Sequence, residues 1–180
     1  LIAACSSETP PGEPPPGEIP TEAPASVAGD ADVAAGERAG APLRSADGAD
    51  MGTATATAVD GGVMITLAAT GLPPGIHGAH VHMVGKCDAP TFETAGGHWN
   101  PASTKHGTMN GPGHAGDLAN LTVAANGTGR LEHRTPSGTF VEMLDGDGAA
   151  FVIHADPDDM KTDPSGNSGA RIACGVFARG

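Results

Sequence analysis

The chain has 180 residues and a formal net charge of −12, which fit one domain of ordinary size and exclude nucleic acid as an expected partner, since that partner requires clustered positive charge. Aromatic side chains are scarce, with four Phe, one Trp and no Tyr, whereas glycine reaches 28 residues. The core must therefore be small and built from Val, Ile, Leu, Ala and Met.

The chain opens on LIAAC, which resembles the lipobox of bacterial lipoproteins. We interpret residues 1–4 as the remnant of a signal peptide and Cys5 as the residue that is lipidated after cleavage. Several acyl chains anchor a protein stably where one does not, so we expect a membrane-anchored lipoprotein in the periplasm of a bacterial cell envelope. The alternative is an isolated cysteine near a truncated start. No other stretch of the sequence is long enough to span a membrane.

A segment of low complexity follows this cysteine. Residues 6–38 consist mainly of Pro, Glu and Ala and contain almost nothing apolar that could build a core, so we predict that they are disordered or polyproline-like. At about 3.1 Å per residue, such a segment reaches roughly 100 Å. The sequence thus predicts a lipidated cysteine and tether over residues 5–39, and one folded domain over residues 40–180.

Short segments with alternating apolar residues recur through the folded domain, and none shows the 3.6-residue period of a helix. In VMITL, for example, Val63, Ile65 and Leu67 share the face that we predict to point inward. The eight predicted strands are Gly40–Arg44, Gly52–Val59, Val63–Thr70, His77–Val84, Gly116–Val123, Gly127–Arg134, Ala149–His154 and Arg171–Phe177.

Turn signals separate several of these strands. Asp60-Gly61 and Asn126-Gly127 are typical of tight turns between antiparallel neighbours. Two long loops, over residues 85–115 and 155–170, would stand on the rigid strand scaffold and carry the functional residues. We therefore predict an all-β, immunoglobulin-like fold, an eight-stranded antiparallel Greek-key barrel or sandwich with two long functional loops.

The first candidate metal site begins on a predicted strand. His80 and His82 are separated by one residue in the apolar stretch HVH. Alternate side chains of a strand share a face, so both imidazoles should point the same way. His154, which ends the apolar run FVIH, can supply a third imidazole from another strand. Nitrogen-rich tetragonal sites suit Cu(II), so this set predicts copper.

The second candidate metal site lies in a loop rich in Gly and Pro. Seven residues separate His98 from His106 and His106 from His114, and two residues separate His114 from Asp117. Three histidines and one carboxylate can form a closed tetrahedral zinc site, which would order a long loop with little core of its own. Each histidine alone is more readily explained as a surface or core residue, so the joint pattern carries the prediction.

The candidate ligands lie in motifs that resemble those of copper–zinc superoxide dismutases, in the same order along the chain. The motifs are GIHGAHVH, GGHWNPASTKHG, HAGDLANLTV, FVIHADPDD and GNSGARIACGVF, and the resemblance covers about residues 40–180. It implies an enzyme that converts superoxide to oxygen and hydrogen peroxide by a Cu(II)/Cu(I) cycle at a copper and a zinc ion joined through one histidine. Such an enzyme would protect the cell envelope from superoxide.

The resemblance also assigns each candidate ligand to a metal. The implied copper ligands are His80, His82, His98 and His154. The implied zinc ligands are His98, His106, His114 and Asp117. His98 is thereby implied to bridge both metals and to take up a proton during the cycle.

Further residues match the same family pattern. Arg171 resembles the arginine that binds the anion beside copper, and Asp158 resembles the carboxylate that links a copper-ligand histidine to a zinc-ligand histidine. Cys87 and Cys174 match the intrasubunit disulfide of the family, which implies an oxidising compartment. That pairing leaves Cys5 alone, as an acylated residue should be.

The remaining histidines are not implied to be ligands. His77 resembles a structural histidine that is hydrogen-bonded within the barrel, and His133, in the polar run RLEHRTP, is interpreted as a surface residue. The loop over residues 155–170 departs from the family, because Lys161 is its only lysine and Pro164 stands where related enzymes carry a lysine at the channel mouth.

Two other functions stay open from the sequence. One is a copper-binding or copper-delivery protein of the same fold, and the other is a catalytically inert module at the cell surface. Delivery domains of this type usually lack part of the copper ligand set, and an inert module could lose Arg171 or His154, whereas this chain keeps every position. The sequence leaves the oligomeric state undetermined and allows a homodimer.

Overall fold

The first strand of the described residues lies close to the predicted start of the folded domain. A computed structural model describes residues 35–180, apart from the side chain of Asn110, and these residues belong to one compact unit. β1 begins at Arg38, two residues before the predicted boundary at residue 40. The predicted signal remnant, the lipidated Cys5 and most of the tether lie outside the described residues.

The described chain forms one antiparallel sheet of ten strands with very little helix. The strands are β1 (Arg38–Arg44), β2 (Asp50–Val59), β3 (Gly62–Ala69), β4 (Gly75–His77), β5 (Ala79–His82), β6 (Leu121–Val123), β7 (Gly129–Arg134), β8 (Ala150–His154), β9 (Arg171–Val176) and β10 (Ala178–Arg179). The other regular elements are the one-turn helix α1 (Phe140–Met143) and two 3-10 turns, Glu93–Ala95 and Thr108–Asn110. The predicted all-β class is confirmed, with ten strands where eight were predicted.

The sheet nearly closes into a barrel because two consecutive strands lie at its opposite edges. The strand order is β4-β6-β7-β3-β2-β1-β9-β8-β5, and β10 pairs with β1. Only Gly78 separates β4 from β5, so the two edges must approach each other. The chain passes from β3 to β4 beyond β7 and β6, which is a connection of the Greek-key kind.

The predicted strand His77–Val84 is in fact divided, because the backbone changes its partner at Gly78. β4 pairs with β6, whereas β5 pairs with β8. Between them, the Gly78 N–H donates to the Asp156 carbonyl oxygen at 2.8 Å. Alternation of apolar residues does not indicate which neighbour a strand pairs with, so the sequence pattern could not show this division.

The predicted strand Gly116–Val123 is shorter than expected and begins at Leu121. Its first residues lie against the edge of β5 instead, where the Val81 N–H donates to the Gly116 carbonyl oxygen at 2.9 Å. A Cβ atom at Gly116 would clash with the Val81 carbonyl oxygen, so the close approach requires glycine. This segment therefore covers the edge strand β5 and brings the loop before it into the same region.

The core follows the alternation that the sequence showed in β3. Val63, Ile65 and Leu67 are buried, as predicted. The alanines of β2 that lie opposite them are Ala58, Ala56 and Ala54. Small residues therefore face large ones across these two strands, which fills the interior without large aromatic side chains.

Both predicted turns are confirmed. Asp60-Gly61 connects β2 to β3, where Val59 pairs directly with Gly62, and Gly61 adopts a φ of 68°. Asn126-Gly127 lies between β6 and β7, and the φ of Gly127 is 77°. Positive φ is accessible to glycine at no steric cost, which is why these dipeptides mark the turns.

The single turn of α1 begins at a capping box. The Glu142 N–H donates to Thr139 Oγ1 at 3.2 Å, and the Thr139 N–H donates to the Glu142 carboxylate at 2.7 Å. The sequence TFVE has the spacing of this motif, although the helix is too short to show a 3.6-residue period. None of the helices within residues 35–180 has the length and apolar character that crossing a bilayer requires.

Candidate metal centre

Two neighbouring strands and one loop carry the candidate ligands. β5 supplies His80 and His82, and its antiparallel partner β8 ends at His154. The loop after β5 returns along this edge, where the backbone forms isolated antiparallel β-bridges between His98 and His82 and between Asp117 and His80. All five side chains are buried, so the barrel wall holds the ligands away from bulk water.

The structure brings all seven candidate ligands together in two groups that share His98. One group is His80, His82, His98 and His154, and the other is His98, His106, His114 and Asp117. Within each group, the potential ligand atoms lie within 4.8 Å of one another. The ring of His80 in the first group lies 6.0 Å from the ring of His106 in the second group, measured between centroids, so the two groups are adjacent.

Each imidazole of the first group has one buried ring nitrogen without a hydrogen-bond partner. These atoms are His80 Nδ1, His82 Nε2, His98 Nε2 and His154 Nε2. A buried polar atom that lacks a partner costs about 1–3 kcal/mol, so four of them in one cluster would be costly in the absence of a cation. Four nitrogen donors fit the preference of Cu(II).

The opposite nitrogen of these rings is fixed by an acceptor. The His82 Nδ1–H donates to the Gly96 carbonyl oxygen at 2.9 Å, and the His154 Nδ1–H donates to the Gly169 carbonyl oxygen at 3.2 Å. These bonds place the proton on Nδ1 and leave Nε2 with its lone pair available to a metal. The carbonyl oxygens of two loops thus orient two rings that come from the strands.

The second group surrounds one oxygen of Asp117. Asp117 Oδ1 lies 2.8 Å from His98 Nδ1, 3.1 Å from His106 Nδ1 and 3.2 Å from His114 Nδ1. Donors bound at about 2.0 Å to a tetrahedral zinc ion lie about 3.3 Å apart, so these separations fit a zinc site. The other oxygen, Oδ2, accepts hydrogen bonds from the N–H groups of Gly107 and His114 at 2.8 and 2.9 Å, which hold the carboxylate in place.

Asp158 links the two groups. Its Oδ2 accepts from His80 Nε2–H at 2.7 Å, and its Oδ1 accepts from His106 Nε2–H at 3.1 Å. Burial works against the charged carboxylate, but the hydrogen bonds from His106 and His80 hold the pKa of Asp158 well below its usual range. The carboxylate is therefore ionised and keeps Nδ1 of both rings for the metals.

Burial sets the charge of the copper-type ligands. It lowers the pKa of His80 to about 3 and that of His154 to about 4, so both rings are neutral near pH 7. His106 behaves differently, because hydrogen bonds to Asp117 and Asp158 outweigh its burial and raise its pKa to about 9. Zinc must therefore displace a proton from His106 as it binds.

Two residues that support Asp158 had no recognisable signal in the sequence. The Asn120 side chain donates to the Asp158 carbonyl oxygen and accepts from the Asp158 N–H, both at 2.8 Å. Gly166, with a φ of 64°, lies so close that a Cβ atom would clash with Asp158 Oδ1. An Asn and a Gly in polar loops are common, so only the tertiary contacts reveal these roles.

Arg171 lies at the start of β9, beside the first group. Its Nη1 donates to the Phe92 carbonyl oxygen at 2.6 Å, and its Nη2 donates to the Gly96 carbonyl oxygen at 2.7 Å. Burial lowers the pKa of this guanidinium somewhat, but an arginine keeps its charge at any working pH. Arg171 lines a cavity of about 1050 Å³ whose wall also includes His82, His98 and His154.

A disulfide fixes the loop that holds Arg171. Cys87 and Cys174 are joined, as expected, with their Cα atoms 5.7 Å apart. Cys174 lies on β9 with Arg171, while Cys87 precedes the loop residues Phe92 and Gly96. The bond therefore ties the carbonyl oxygens that hold the guanidinium to the strand that carries it.

We expect Cys87→Ser to lower the melting temperature of the metal-loaded protein by roughly 10–20 °C. The bond closes a loop with a sequence separation of 87 residues, and loop-entropy models assign about 4–5 kcal/mol to such a crosslink. Thermal unfolding followed by circular dichroism measures the shift, and zinc retention during dialysis should fall in parallel. The double variant Cys87→Ser/Cys174→Ser is the control, because it lacks the same disulfide and should unfold at the same temperature as Cys87→Ser. Equal melting of the oxidised and reduced wild type would contradict the prediction.

The two remaining histidines of the folded domain differ from each other. His77 lies in the barrel wall with ring nitrogens 2.8 Å from the His154 carbonyl oxygen and 2.9 Å from the Pro73 carbonyl oxygen, which agrees with its structural interpretation. His133 was interpreted as a surface residue, but it is half-buried on β7, opposite Ile65. The polar run RLEHRTP concealed the fact that alternate residues of this strand turn inward.

Comparison with known proteins places this fold and these sites in one family. The profile of the family described as copper/zinc superoxide dismutase (SODC) matches residues 51–177. A superoxide dismutase [Cu-Zn] of Caulobacter vibrioides is 42% identical over 145 residues, which cover 76% of this chain and 83% of that protein. A crystal structure of a SOD-like protein from Bacillus subtilis is 40% identical, with a TM-score of 0.71, and the match covers 77% of this chain and 97% of that one.

An all-β barrel with two adjacent histidine-rich sites that share one imidazole defines a binuclear metalloprotein. The chain belongs to the copper/zinc superoxide dismutase family.

Proposed function

We propose that the protein is an envelope-located superoxide dismutase in which the first group of ligands binds copper and the second group binds zinc. Dismutation of superoxide to oxygen and hydrogen peroxide is the activity that its family membership supports, with copper and zinc as cofactors. The observation that carries the assignment of the metals is the cluster of four buried, unpartnered imidazole nitrogens, which shares His98 with a carboxylate-containing group.

Copper supplies one-electron exchange with superoxide when it is bound, whereas zinc is redox-inert and serves to hold its ligands in place. His80, His82, His98 and His154 would hold the copper. His98, His106, His114 and Asp117 would hold the zinc. Asp158 orients one ring of each set and so links the copper ligands to the zinc ligands.

His98 is the residue that we assign to proton transfer. Its Nδ1 lies 2.8 Å from Asp117 Oδ1, so this nitrogen faces the second group and would bind zinc. Its Nε2 is one of the four nitrogens of the first group that have no hydrogen-bond partner. Nε2 is therefore the position at which the chain can hold a proton and return it to the reduced product.

Arg171 is the residue that we assign to anion binding. Two of its nitrogens are fixed by carbonyl oxygens, which leaves further N–H donors of the planar guanidinium to bind a small anion in the cavity. Because the guanidinium is already held in position, binding superoxide requires little further ordering of this side chain.

Metal content and superoxide turnover measured on the same purified sample test the proposal. We expect copper and zinc in a ratio near one to one and rapid turnover that disappears when copper is chelated. Full copper loading without turnover would overturn the proposal in favour of a copper-binding or copper-delivery protein of the same fold. Sedimentation of that sample would determine whether the protein forms the homodimer that the sequence allows.

Location at the membrane is proposed from the sequence alone. We expect Cys5→Ser to release the protein from bacterial membranes into the soluble periplasmic fraction, because the lipid on Cys5 would attach it to the membrane. Fractionation followed by immunoblotting measures the change, and Ser6→Ala, which leaves the cysteine intact, is the control. An unmodified Cys5 thiol in the mass spectrum of the mature protein would contradict lipidation.

A further inference from the structure

The cavity in front of the candidate copper ligands has an acidic rim. We define this rim as the four carboxylate side chains that line the cavity, Glu142, Asp145, Asp147 and Asp163. All four residues are exposed. Among the described residues that line the cavity, Arg171 is the one Lys or Arg. Lys161 of the nearby loop is exposed and does not belong to the described lining.

Hydrogen bonds hold three of these carboxylates in place. Glu142 accepts from the Thr139 N–H at 2.7 Å in the capping box of α1. Asp145 Oδ1 accepts from the N–H groups of Asp147 and Gly148 at 3.0 and 3.1 Å. Asp163 Oδ1 accepts from the His106 N–H at 2.8 Å. Glu142, Asp145 and Asp163 are therefore held at the wall of the cavity, where an incoming anion must pass them.

The charges of the cavity are thus arranged in two layers. At its base, Arg171 attracts an anion, and the copper and zinc ions would add to that attraction when bound, because bound ions are the largest local charges of a site. At its mouth, the acidic rim repels an anion. Superoxide approaches from bulk water and meets the rim before it can reach the guanidinium, so the outer layer acts first.

We infer that the acidic rim opposes the access of superoxide, so that encounter with the enzyme is slowed by Glu142, Asp145, Asp147 and Asp163 and becomes faster as ionic strength rises. This inference rests on the proposed function. It identifies residues that set the rate of the reaction without touching the metals. It also predicts a salt response of the opposite sign to that of an enzyme that attracts its substrate with a positive mouth.

Coulomb's law sets the size of the effect. Two unit charges about 10 Å apart in water alter an encounter rate by about twofold, so removing two rim charges should raise the rate about fourfold at low salt. The Debye length falls from about 30 Å at 0.01 M to about 8 Å at 0.15 M, so most of this difference should vanish at the higher ionic strength.

Direct measurement of superoxide decay on metal-loaded protein at both ionic strengths tests the inference. The rim variant is Glu142→Gln/Asp147→Asn, which keeps the oxygen acceptor of the capping box. The matched control is Asp60→Asn/Glu132→Gln, which removes the same net charge from exposed residues outside the cavity lining. We expect the rim variant to be about fourfold faster than the wild type at low salt and the control to change much less.

Equilibrium binding of azide, a small singly charged anion, supplies a second measurement that does not depend on turnover. Its affinity at low salt should rise in the rim variant by about the same fourfold factor and should stay near the wild-type value in the control. If the wild-type rate fell as salt rose, or if the control variant were as fast as the rim variant, the inference about the acidic rim would be wrong. The proposed function would stand in either case. Absence of turnover in the fully loaded wild type would instead overturn the proposed function, and the azide titration would still test the rim.

Discussion

His154→Ala is expected to reduce superoxide turnover by more than about a hundredfold, since altering even an outer partner of a metal ligand costs about 10–100-fold. The ring of His154 supplies one of the four unpartnered nitrogens of the first group, and alanine offers no donor there. The barrel should remain folded, because the His154 N–H still donates to the Gly78 carbonyl oxygen and β8 keeps its pairing with β5 and β9. Copper content, turnover and far-ultraviolet circular dichroism measure the three parts of this prediction.

A histidine outside both groups provides the control for this variant. His133 is half-buried on β7 and belongs to neither ligand set, so His133→Ala should retain copper and activity. If His154→Ala, loaded with both metals, turned over superoxide at the wild-type rate, then the assignment of His154 to copper would be wrong.

Arg171→Ala should lower the rate by about 10–100-fold without loss of copper, and Arg171→Glu should lower it further. The guanidinium hydrogen-bonds to carbonyl oxygens and supplies no ligand atom to either group, so its removal leaves the nitrogen donors present. What is lost is the positive charge at the base of the cavity, which attracts and orients the anion. Turnover per bound copper measures the effect, because this ratio separates anion binding from metal loading.

Arg130→Ala is the matched control for Arg171→Ala, since Arg130 is exposed on β7 and is not part of the described cavity lining. It removes the same unit of charge and should leave the rate per copper nearly unchanged. Should both Arg171 variants equal the wild type in that ratio, Arg171 would have no part in anion binding.

The fold class could be predicted from the sequence because its signals are local. The alternation of Val63, Ile65 and Leu67 and the dipeptide Asp60-Gly61 each depend on a few consecutive residues. The change of partner at Gly78 could not be predicted, because it depends on which strand approaches from elsewhere in the chain.

The candidate site was predictable for a different reason. Histidine and aspartate ligands are chemically distinctive, so their spacing and the family resemblance placed all seven in two groups before the structure showed them together. The residues that support them are chemically ordinary. Gly96 and Gly169 act through backbone carbonyl oxygens, which every residue possesses, and Asn120 acts through contacts with a distant loop. The acidic rim likewise joins residues of α1 and a loop that are separated in sequence.

The carbonyl oxygen of Gly96 accepts hydrogen bonds from both His82 Nδ1–H and Arg171 Nη2–H. The orientation of the His82 ring and the orientation of the Arg171 guanidinium therefore both depend on the position of this one carbonyl oxygen. Gly96 has a φ of 74°, and a Cβ atom there would press against Val84 at 3.1 Å, so a side chain at this position would displace that point. A redesign that changes the orientation of Arg171 to bind a different anion would also rotate the His82 ring, so anion binding and copper binding would have to be redesigned together.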